Sequence, residues 1–355
     1  MFRPHRIALL ATITALLAGT AACGGGGPNP AGPPGGSKVV VGSWGGDYEN
    51  FQKRFVLPLL EKQQNAPNPV FDTADQGARM TKMRTQGDSK TGTMDVTELS
   101  DIDMQKMIDA GLMTKLDPKK IPNWSHIPKN LRNPYWIPHI YSGNVICYNK
   151  NKVKPAPTSF KALWDPKYKG KIGIQTIQWD DFYHAAATLA TGGHPRHNWA
   201  KGVPKLKQLA DNVQVFGSQE QLGQGLQSGQ VWLTLDWKAR AYQWNKGGGA
   251  PIGSVVPEEG TFPIIFAAGI PKNAPHKEAA YKYLNAMLAP SAQRDFAKNM
   301  GYSPTVDNAE LPGKLKKALS FTPAEEKKIK PLDAKWIAKT DERWHRIWKR
   351  QIVNH

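Results

Sequence analysis

The sequence predicts an α/β fold of two lobes, on three observations. Its length of 355 residues suits two domains better than one. Short apolar segments alternate with helical ones, which indicates parallel strands with helices packed on the sheet. The alternation occurs twice, before and after Pro-rich connections near the middle of the chain. We therefore expect two α/β lobes.

The first series of elements starts with the strand SKVVVGSW. Phe51, Phe55 and Leu59 then recur at helical spacing, and Pro58 is expected to bend or end that helix. Two strand–helix pairs follow, PVFD with GARMTKMRTQG and TMDVTELS with DIDMQKMIDAG. All these elements lie in one continuous stretch and predict the first lobe.

The second series starts with the strand GNVICYN and continues with KIGIQTI, DDFYHAAATLAT, NVQVFG and SQEQLGQGLQSG, alternately strand and helix. Ser218 and Gln221 have the spacing of a capping box. The strand VWLTL should follow, with Val231 on its buried face. In the helical C-terminal segment, Trp344 and Trp348 could form a ligand cage, but burial for packing is the better interpretation.

The N-terminus has the composition of a secretory signal. Arg3 and Arg6 precede the apolar run IALLATITALL, and small residues follow it. TAAC resembles a bacterial lipobox, in which Cys23 would carry a lipid, although Thr20 replaces the usual Leu. Plain secretion is the alternative. Gly24–Ser37 holds seven Gly and four Pro and predicts a flexible tether.

Charge and cysteine content limit the partners. The formal net charge of +18 raises nucleic acid as a partner, but the lysines are scattered and form no basic run interleaved with aromatics. Attraction to an anionic membrane or cell wall explains the charge better. With only Cys23 and Cys147, an exported chain has no disulfide framework, and Cys147 is expected to be a small buried residue.

Motifs for catalysis or metal binding are weak. No G-x-S-x-G, H-E-x-x-H, P-loop or G-x-G-x-x-G after a strand occurs. His194 and His197 lie in a Gly/Pro turn without an acidic or Cys residue nearby in sequence. Asp101, of the pair in D-I-D, suits a helix cap better than a metal site.

Four strand-to-helix junctions share one composition: SWGGDY, ELSDID, QWDDFY and LDWKAR each contain an acid, and three contain Trp. In open α/β sheets, ligands bind beyond the carboxyl ends of the strands, where helix N-termini also offer N–H donors. Two such junctions in each half predict two lobes that face one ligand cleft. This arrangement requires no reaction chemistry.

From about Val39 to the C-terminus, the chain resembles the extracellular solute-binding proteins of ABC importers, in particular the spermidine/putrescine-binding branch. The segments that carry the similarity are, in order, SWGGDYENFQKRF, IDAGLMTKLDPKKIPNW, CYNKNKV, PTSFKALWDPKYKGKIGI, LQSGQVWL and GIPKNAPHKEAAYKYLNAML. The resemblance implies the two-lobe periplasmic-binding-protein fold (type II), which closes on a small solute and then docks on a membrane permease. It also implies a monomer without cofactor, metal, nucleic-acid partner or catalytic residues, at the outer face of the cytoplasmic membrane or in the periplasm.

With the resemblance, we divide the chain into a signal peptide (1–22), a tether (23–37), lobe 1 (38–147 and 259–320), lobe 2 (148–258) and C-terminal closing helices (321–355), whose lobe is left open. The candidate ligand-binding residues are Trp44, Asp47, Tyr48, Ser100, Asp101, Ser142, Trp179, Asp181, Asp236, Trp237, Arg240 and Phe266. The tryptophans would supply apolar or cation–π walls.

The candidate ligand site departs from the polyamine-binding pattern that the resemblance implies. One carboxylate of that pattern lies in a W-x-G-D segment, which here is WKAR, so Arg240 stands in its place. Another lies shortly before IPK, where Phe266 or a neighbour supplies no acid. Because a guanidinium favours a carboxylate or phosphate, we expect a carboxylate-bearing or amino-acid-like solute, with any amine near Asp236, Asp101 or Asp47.

Three alternatives stay open. A polyamine receptor of the same fold would prefer spermidine or putrescine. An exported hydrolase could use Asp180 and Asp181, although both acids also suit the first turn of a helix. A basic cell-wall adhesion protein would bind surfaces in a salt-sensitive way.

Overall fold

The computed structural model describes residues 38–63, 66–175, 179–246 and 251–353; the predicted signal peptide, Cys23 and the tether lie outside them. The described strands are β1 (Lys38–Ser43), β2 (Asn68–Thr73), β3 (Val96–Ser100), β4 (Trp136–Asn149), β5 (Ile172–Gln175), β6 (Val213–Phe216), β7 (Leu233–Trp237), β8 (Ile252–Val255) and β9 (Pro263–Gly269). The described α-helices are α1 (Gly46–Phe55), α2 (Leu57–Glu61), α3 (Gln76–Thr85), α4 (Asp101–Asp109), α5 (Trp179–Thr191), α6 (Val203–Ala210), α7 (Gln219–Ser228), α8 (Lys238–Asn245), α9 (Lys277–Met287), α10 (Pro290–Met300), α11 (Gly313–Leu319), α12 (Pro323–Glu326) and α13 (Ala334–Trp348).

The strands form one mixed sheet in the order β2-β1-β3-β9-β4-β7-β5-β6, with β8 paired to β4. β1 is parallel to β2 and β3, and β5 is parallel to β6 and β7. The expectation of parallel sheets alone is wrong, because β9 runs antiparallel to β3 and β4, and β7 antiparallel to β4. β4 therefore has antiparallel partners on both sides, with β9 along its first part and β7 along its second.

β4 joins the two lobes. Its residues 136–143 pair with β9, and its residues 144–148 pair with β7. Successive side chains of a strand point to opposite faces of the sheet. Cys147 therefore packs in the core that contains α7 and α8, whereas Ile146 packs in the core that contains α5, α6 and α13. Cys147 is fully buried, as predicted.

Local sequence patterns predict most element boundaries. Pro58 lies in the first turn of α2, directly after α1 ends, which confirms the expected interruption. The Ser218 side chain caps α7 by accepting the Gln221 N–H at 3.2 Å. The reciprocal bond of a capping box is shifted by one residue, because the Gln221 side chain accepts the Gly217 N–H at 3.1 Å.

The strand predicted at 231–235 is displaced. β7 covers Leu233–Trp237, so Asp236 lies inside the strand and is fully buried. Neither β8 nor β9 is predicted. The apolar residues of β9 show no polar–apolar alternation, and β8 has only four residues.

The C-terminal helix α13 closes the core that lies on α5 and α6. Its Trp344 and Trp348 are 3% and 0% exposed, which confirms packing rather than a ligand cage. Tyr183 of α5 lies between them, with its ring centroid 5.4 Å from that of Trp344. No helix among the described residues is long and apolar enough to cross a membrane.

Candidate functional site

Aromatic side chains from separate parts of the chain meet where β1, β7 and β9 lie near one another. Phe266 is the central ring, with its centroid 5.1 Å from that of Trp44 and 5.5 Å from that of Trp237, both in edge-to-face arrangements. Tyr48 packs edge-on against Trp44 at 5.2 Å, and Tyr302 lies 6.3 Å from Phe266. We call these five rings the aromatic cluster.

Strand register positions the cluster. Phe266 of β9 pairs with Ser100 at the end of β3 and with Ile140 of β4. Trp44 directly follows β1, and Trp237 ends β7, so both lie at carboxyl ends of strands. The ring of Phe266 is therefore contacted by the half-buried Trp44, from the end of β1, and by the half-buried Trp237, from the end of β7.

Arg79 of α3 supports Trp44 from behind. Its guanidinium lies 4.6 Å from the centroid of the Trp44 ring. It donates hydrogen bonds to the carbonyl oxygens of Ser43 (2.8 Å), Glu98 (2.6 Å) and Ala74. The side chain thus joins the ends of β1 and β3 to the loop after β2, and it is almost completely buried at 1% exposure. The sequence gives no sign of this role, since GARMTKMR resembles an ordinary amphipathic helix.

Replacing Arg79 by Met should destabilise the protein by about 3 kcal/mol or more, because three buried carbonyl groups lose their donor. Urea unfolding measures the change. Arg84 lies exposed on the same helix, so Arg84→Met is the matched control and should change stability by less than about 0.5 kcal/mol. Equal effects of the two substitutions would contradict the supporting role of Arg79.

Arg240 lies on the lobe 2 side of the cluster. Its guanidinium is 5.7 Å from the centroid of the Trp237 ring, and Nη1 donates to the Gln243 side chain at 2.7 Å. Glu220 is a distant ion-pair partner at 3.8 Å. The Arg240 side chain is 24% exposed, and its Nε has no acceptor among the described residues. Much of its hydrogen-bonding capacity is therefore unused.

Carboxylates of both lobes interact near the start of α5. Asp101 begins α4, while Asp180 and Asp181 lie in the first turn of α5. Asp236 of β7 accepts from the Gln219 side chain at 3.2 Å and from the Trp237 N–H at 2.7 Å. Asp181 is 1% exposed, and its Oδ2 has no hydrogen-bond partner within the described part of the chain. We call Asp101, Asp180, Asp181 and Asp236 the acidic cluster.

Burial and mutual repulsion make these acids weak. Burial, together with the charges of Asp180 and Asp103, raises the pKa of Asp101 to about 7. The pKa of Asp181 is raised well above its ordinary value, first by burial and then by Asp180 and Asp236. Burial likewise raises the pKa of Asp180. A positive charge among these groups would remove both the repulsion and the cost of ionisation.

The nearest protein cation serves other acids. Lys106 of α4 forms ion pairs with Asp103 and with Asp341 of α13. Among the described residues, no ion pair reaches Asp101, Asp180 or Asp181. On the side of the site that contains α4 and α5, the acidic cluster thus has three carboxyl groups that no described cation pairs.

The other predicted residues occupy varied positions. Ser142 is buried in β4, where its hydroxyl accepts the Ala239 N–H at 3.2 Å. Asp47 is exposed in the first turn of α1. The Trp179 side chain lies outside the described part of the structure. The expected cap of α4 is wrong: Ser100, not Asp101, is the N-cap and accepts the Asp103 N–H at 3.2 Å, because Asp101 is already the first helical residue.

Tyr48 and His197 have structural partners. Tyr48 is buried behind Trp44, and its hydroxyl lies 2.5 Å from Nδ1 of His139. His197, which has no acid nearby in sequence, contacts the distant Asp333 at 2.8 Å. No group of three or more His, Cys, Asp or Glu side chains in the described ranges could hold a metal ion.

Comparison with known proteins agrees with this architecture. The model of the family described as bacterial extracellular solute-binding protein matches residues 62–323. The spermidine/putrescine-binding periplasmic protein of Escherichia coli K12 is 30% identical over 293 residues, which cover 79% of this chain and 80% of that protein. The gamma-aminobutyric acid-binding protein of Pseudomonas aeruginosa is 23% identical over 317 residues, or 84% of this chain and 86% of that protein.

The fold is also that of a solved structure. The spermidine/putrescine ABC transporter substrate-binding protein of Streptococcus pneumoniae superposes with a TM-score of 0.73 at 23% identity, over 89% of this chain and 99% of that chain. This likeness confirms the two-lobe periplasmic-binding fold. Since the family model spans most of the sequence and the Escherichia coli relative covers more than two thirds of it, this chain belongs to the bacterial extracellular solute-binding protein family.

Proposed function

We propose that the protein is the substrate-binding receptor of an ABC importer and captures a small zwitterionic solute, with an amine at one end and a carboxylate at the other. The observation that carries this proposal is the presence of opposite charges beside one aromatic cluster. Asp101, Asp180, Asp181 and Asp236 supply carboxyl groups whose ionised form an ammonium would favour, and Arg240 supplies a guanidinium with unused donors.

The acidic cluster would hold the amine. An ammonium between Asp101 of lobe 1 and Asp181 of lobe 2 would contact both lobes at once. Contacts with both lobes are what shifts a two-lobe protein towards its closed form. The ammonium would also favour ionisation of carboxyl groups whose pKa values burial has raised.

Arg240 would hold the carboxylate. Its planar guanidinium can donate two parallel hydrogen bonds to one carboxylate, and Trp237 keeps the group in place from one side. The half-buried rings of Trp44, Trp237 and Phe266 would cover the apolar middle of the solute. Gamma-aminobutyric acid, which appears in the name of the Pseudomonas aeruginosa relative, is a solute of this kind.

A polyamine receptor is the second candidate. The sequence lacks acids at two places where polyamine binders have them. Four other carboxyl groups nevertheless interact with one another here. These acids favour any amine, including a diamine. Arg240 disfavours the binding of a diamine, because the second ammonium would lie beside a guanidinium rather than a carboxylate.

The hydrolase alternative has less support. Asp180 and Asp181 are adjacent residues in the first turn of α5, and the family is one of transport receptors rather than enzymes. We propose that the protein has no catalytic activity. We expect stoichiometric binding of the solute without product formation. Turnover of a substrate that is lost in Asp180→Asn or Asp181→Asn would instead favour the hydrolase.

Further parts of the proposal concern the cellular setting. We propose a monomer that a lipid on Cys23 tethers to the outer face of the cytoplasmic membrane, where the closed form docks on the permease. The lobes are proposed to divide near 147/148 and 258/259. The switch of β4 from β9 to β7 as its pairing partner, between residues 143 and 144, supports a crossing close to the first boundary.

A thermal-shift screen tests the class of solute. It should include polyamines, α-amino acids, γ-amino acids and small dicarboxylates. A solute at about 100 times its Kd should stabilise the protein by about 2.7 kcal/mol, which is an easily measured shift. We expect the largest shift from an amino acid; spermidine or putrescine in first place would contradict the proposed role of Arg240.

Affinity for an amine should rise with pH. In the free protein, raised pKa values keep acids such as Asp101, with a pKa of about 7, partly protonated near neutral pH. An ammonium binds their ionised form, so affinity should increase from about pH 5 to about pH 8, with release of protons on binding. Titration calorimetry in two buffers of different ionisation enthalpy measures that release. Proton uptake, or affinity that falls over this range, would contradict the assignment.

A further inference from the structure

A second cavity lies where the turn after α5 meets the segment before α13. Its volume is about 660 Å³, and its lining includes His194, Arg196, His197, Lys330 and Asp333. None of the residues that line it belongs to the aromatic or acidic cluster. A volume of this size is typical of cavities that bind small molecules.

The cavity has an excess of positive charge. Among the described residues, neither Arg196 nor Lys330 forms an ion pair. Asp333 is the one acid in the lining, and it already accepts the Trp336 N–H at 3.0 Å as the cap of α13 and contacts His197 at 2.8 Å. Two permanent cations therefore face a cavity whose only carboxylate has other partners.

The backbone around Arg196 is held in an uncommon conformation. Arg196 has a φ of 45°, and it is the only non-glycine residue with positive φ in the described ranges. Such a conformation costs energy for a residue with a Cβ and occurs more often at functional sites. The Arg196 N–H donates to Nδ1 of His194 at 3.3 Å, which fixes the turn.

His194 supports the turn from the side of the core. Because its Nδ1 accepts a hydrogen bond, the neutral ring carries its proton on Nε2, and this atom is buried without a partner among the described residues. Behind it lies the ring of His184, 5.6 Å away and almost completely buried. Burial lowers the pKa of His194, and the charges of Lys330 and Arg196 lower it further, as expected where cations gather without an anion.

We propose that this cavity binds a phosphate group, as the free ion or as part of a lipid headgroup, through Arg196 and Lys330. Arginine presents a planar pair of donors that matches phosphate oxygens, and lysine adds a mobile point charge. The cavity is larger than one phosphate, so it can also accept the glycerol part of a headgroup. The proposal does not depend on which solute the aromatic cluster binds.

The test uses two probes on the intact chain without solute. Inorganic phosphate is titrated by calorimetry at constant ionic strength, and vesicles of phosphatidylglycerol or phosphatidylcholine are tested by co-flotation. Arg196→Gln combined with Lys330→Gln should weaken binding about tenfold or more. The matched control combines Lys335→Gln and Lys339→Gln, which remove the same charge from exposed positions on α13 outside the cavity lining.

Saturable binding of phosphate identifies the free ion as the ligand, and binding to phosphatidylglycerol vesicles alone identifies the headgroup. In either case the cavity variant must lose binding while the control keeps it. Equal losses in both variants would overturn the proposal, since they would show attraction by net charge alone. Absence of binding to both probes would also overturn it.

Discussion

Arg240→Gln should weaken binding of the solute selected by the thermal-shift screen by about 100-fold or more, equivalent to about 2.7 kcal/mol. The substitution removes the guanidinium that we expect to hold the carboxylate. Arg240→Lys should give an intermediate loss, because an ammonium keeps the charge but not the planar pair of donors. Titration calorimetry measures both affinities.

Unliganded stability should change little in the same variants. Arg240 makes one hydrogen bond to Gln243 and has only a distant ion-pair partner in Glu220, so its loss leaves no buried group without a partner. Lys246 follows the same helix and is exposed, which makes Lys246→Gln the matched control, with unchanged affinity. If Arg240→Gln bound the solute as tightly as the unmodified protein, Arg240 would not contact it.

Asp181→Asn should change stability and affinity in opposite directions. The unliganded protein should become more stable at pH 7.5, because a buried carboxyl next to Asp180 and Asp236 no longer has to ionise. Affinity for the solute should fall by about 30-fold or more, because the ammonium loses a charged partner. Urea unfolding and calorimetry on the same preparation give the two values.

The sign of the stability change follows from the raised pKa of Asp181. A carboxyl group with a raised pKa contributes full stability below its unfolded pKa of about 3.9, and this contribution is lost as pH rises through the folded pKa. The stabilisation by Asp181→Asn should therefore disappear at about pH 4. Asp88→Asn, at an exposed position, is the control and should change stability at pH 7.5 by less than about 0.5 kcal/mol. A variant less stable than the parent at pH 7.5 would show that the charge of Asp181 already has a partner.

The sequence predicts much of the fold because local periodicity determines most of its elements. The strands and helices from β1 to α4, and likewise β5, α5, β6 and α7, lie close to where local patterns place them, whereas α6 is not predicted. β9 is not predicted, because its side chains are apolar on both faces of the strand. Its partners β3 and β4 are distant in sequence, so the antiparallel return of the chain depends on long-range pairing.

The candidate site is predictable only in part. Trp44 and Trp237 follow from the composition of strand-to-helix junctions, and the structure brings both against Phe266. Arg79 could not be predicted, because its burial depends on carbonyl groups from three separate segments that meet only in the folded chain. Tyr302 could not be predicted either, because it lies just after the end of α10 and no local motif marks it as part of a site.

Calorimetric titration with three four-carbon compounds tests the central proposal most directly. The compounds have similar lengths and differ in their end groups. γ-Aminobutyrate has one amine and one carboxylate, putrescine has two amines, and succinate has two carboxylates. An acidic cluster on one side and Arg240 on the other predict that γ-aminobutyrate binds about tenfold or more tightly than either of the others. Tighter binding of putrescine or succinate would contradict a site built for opposite charges.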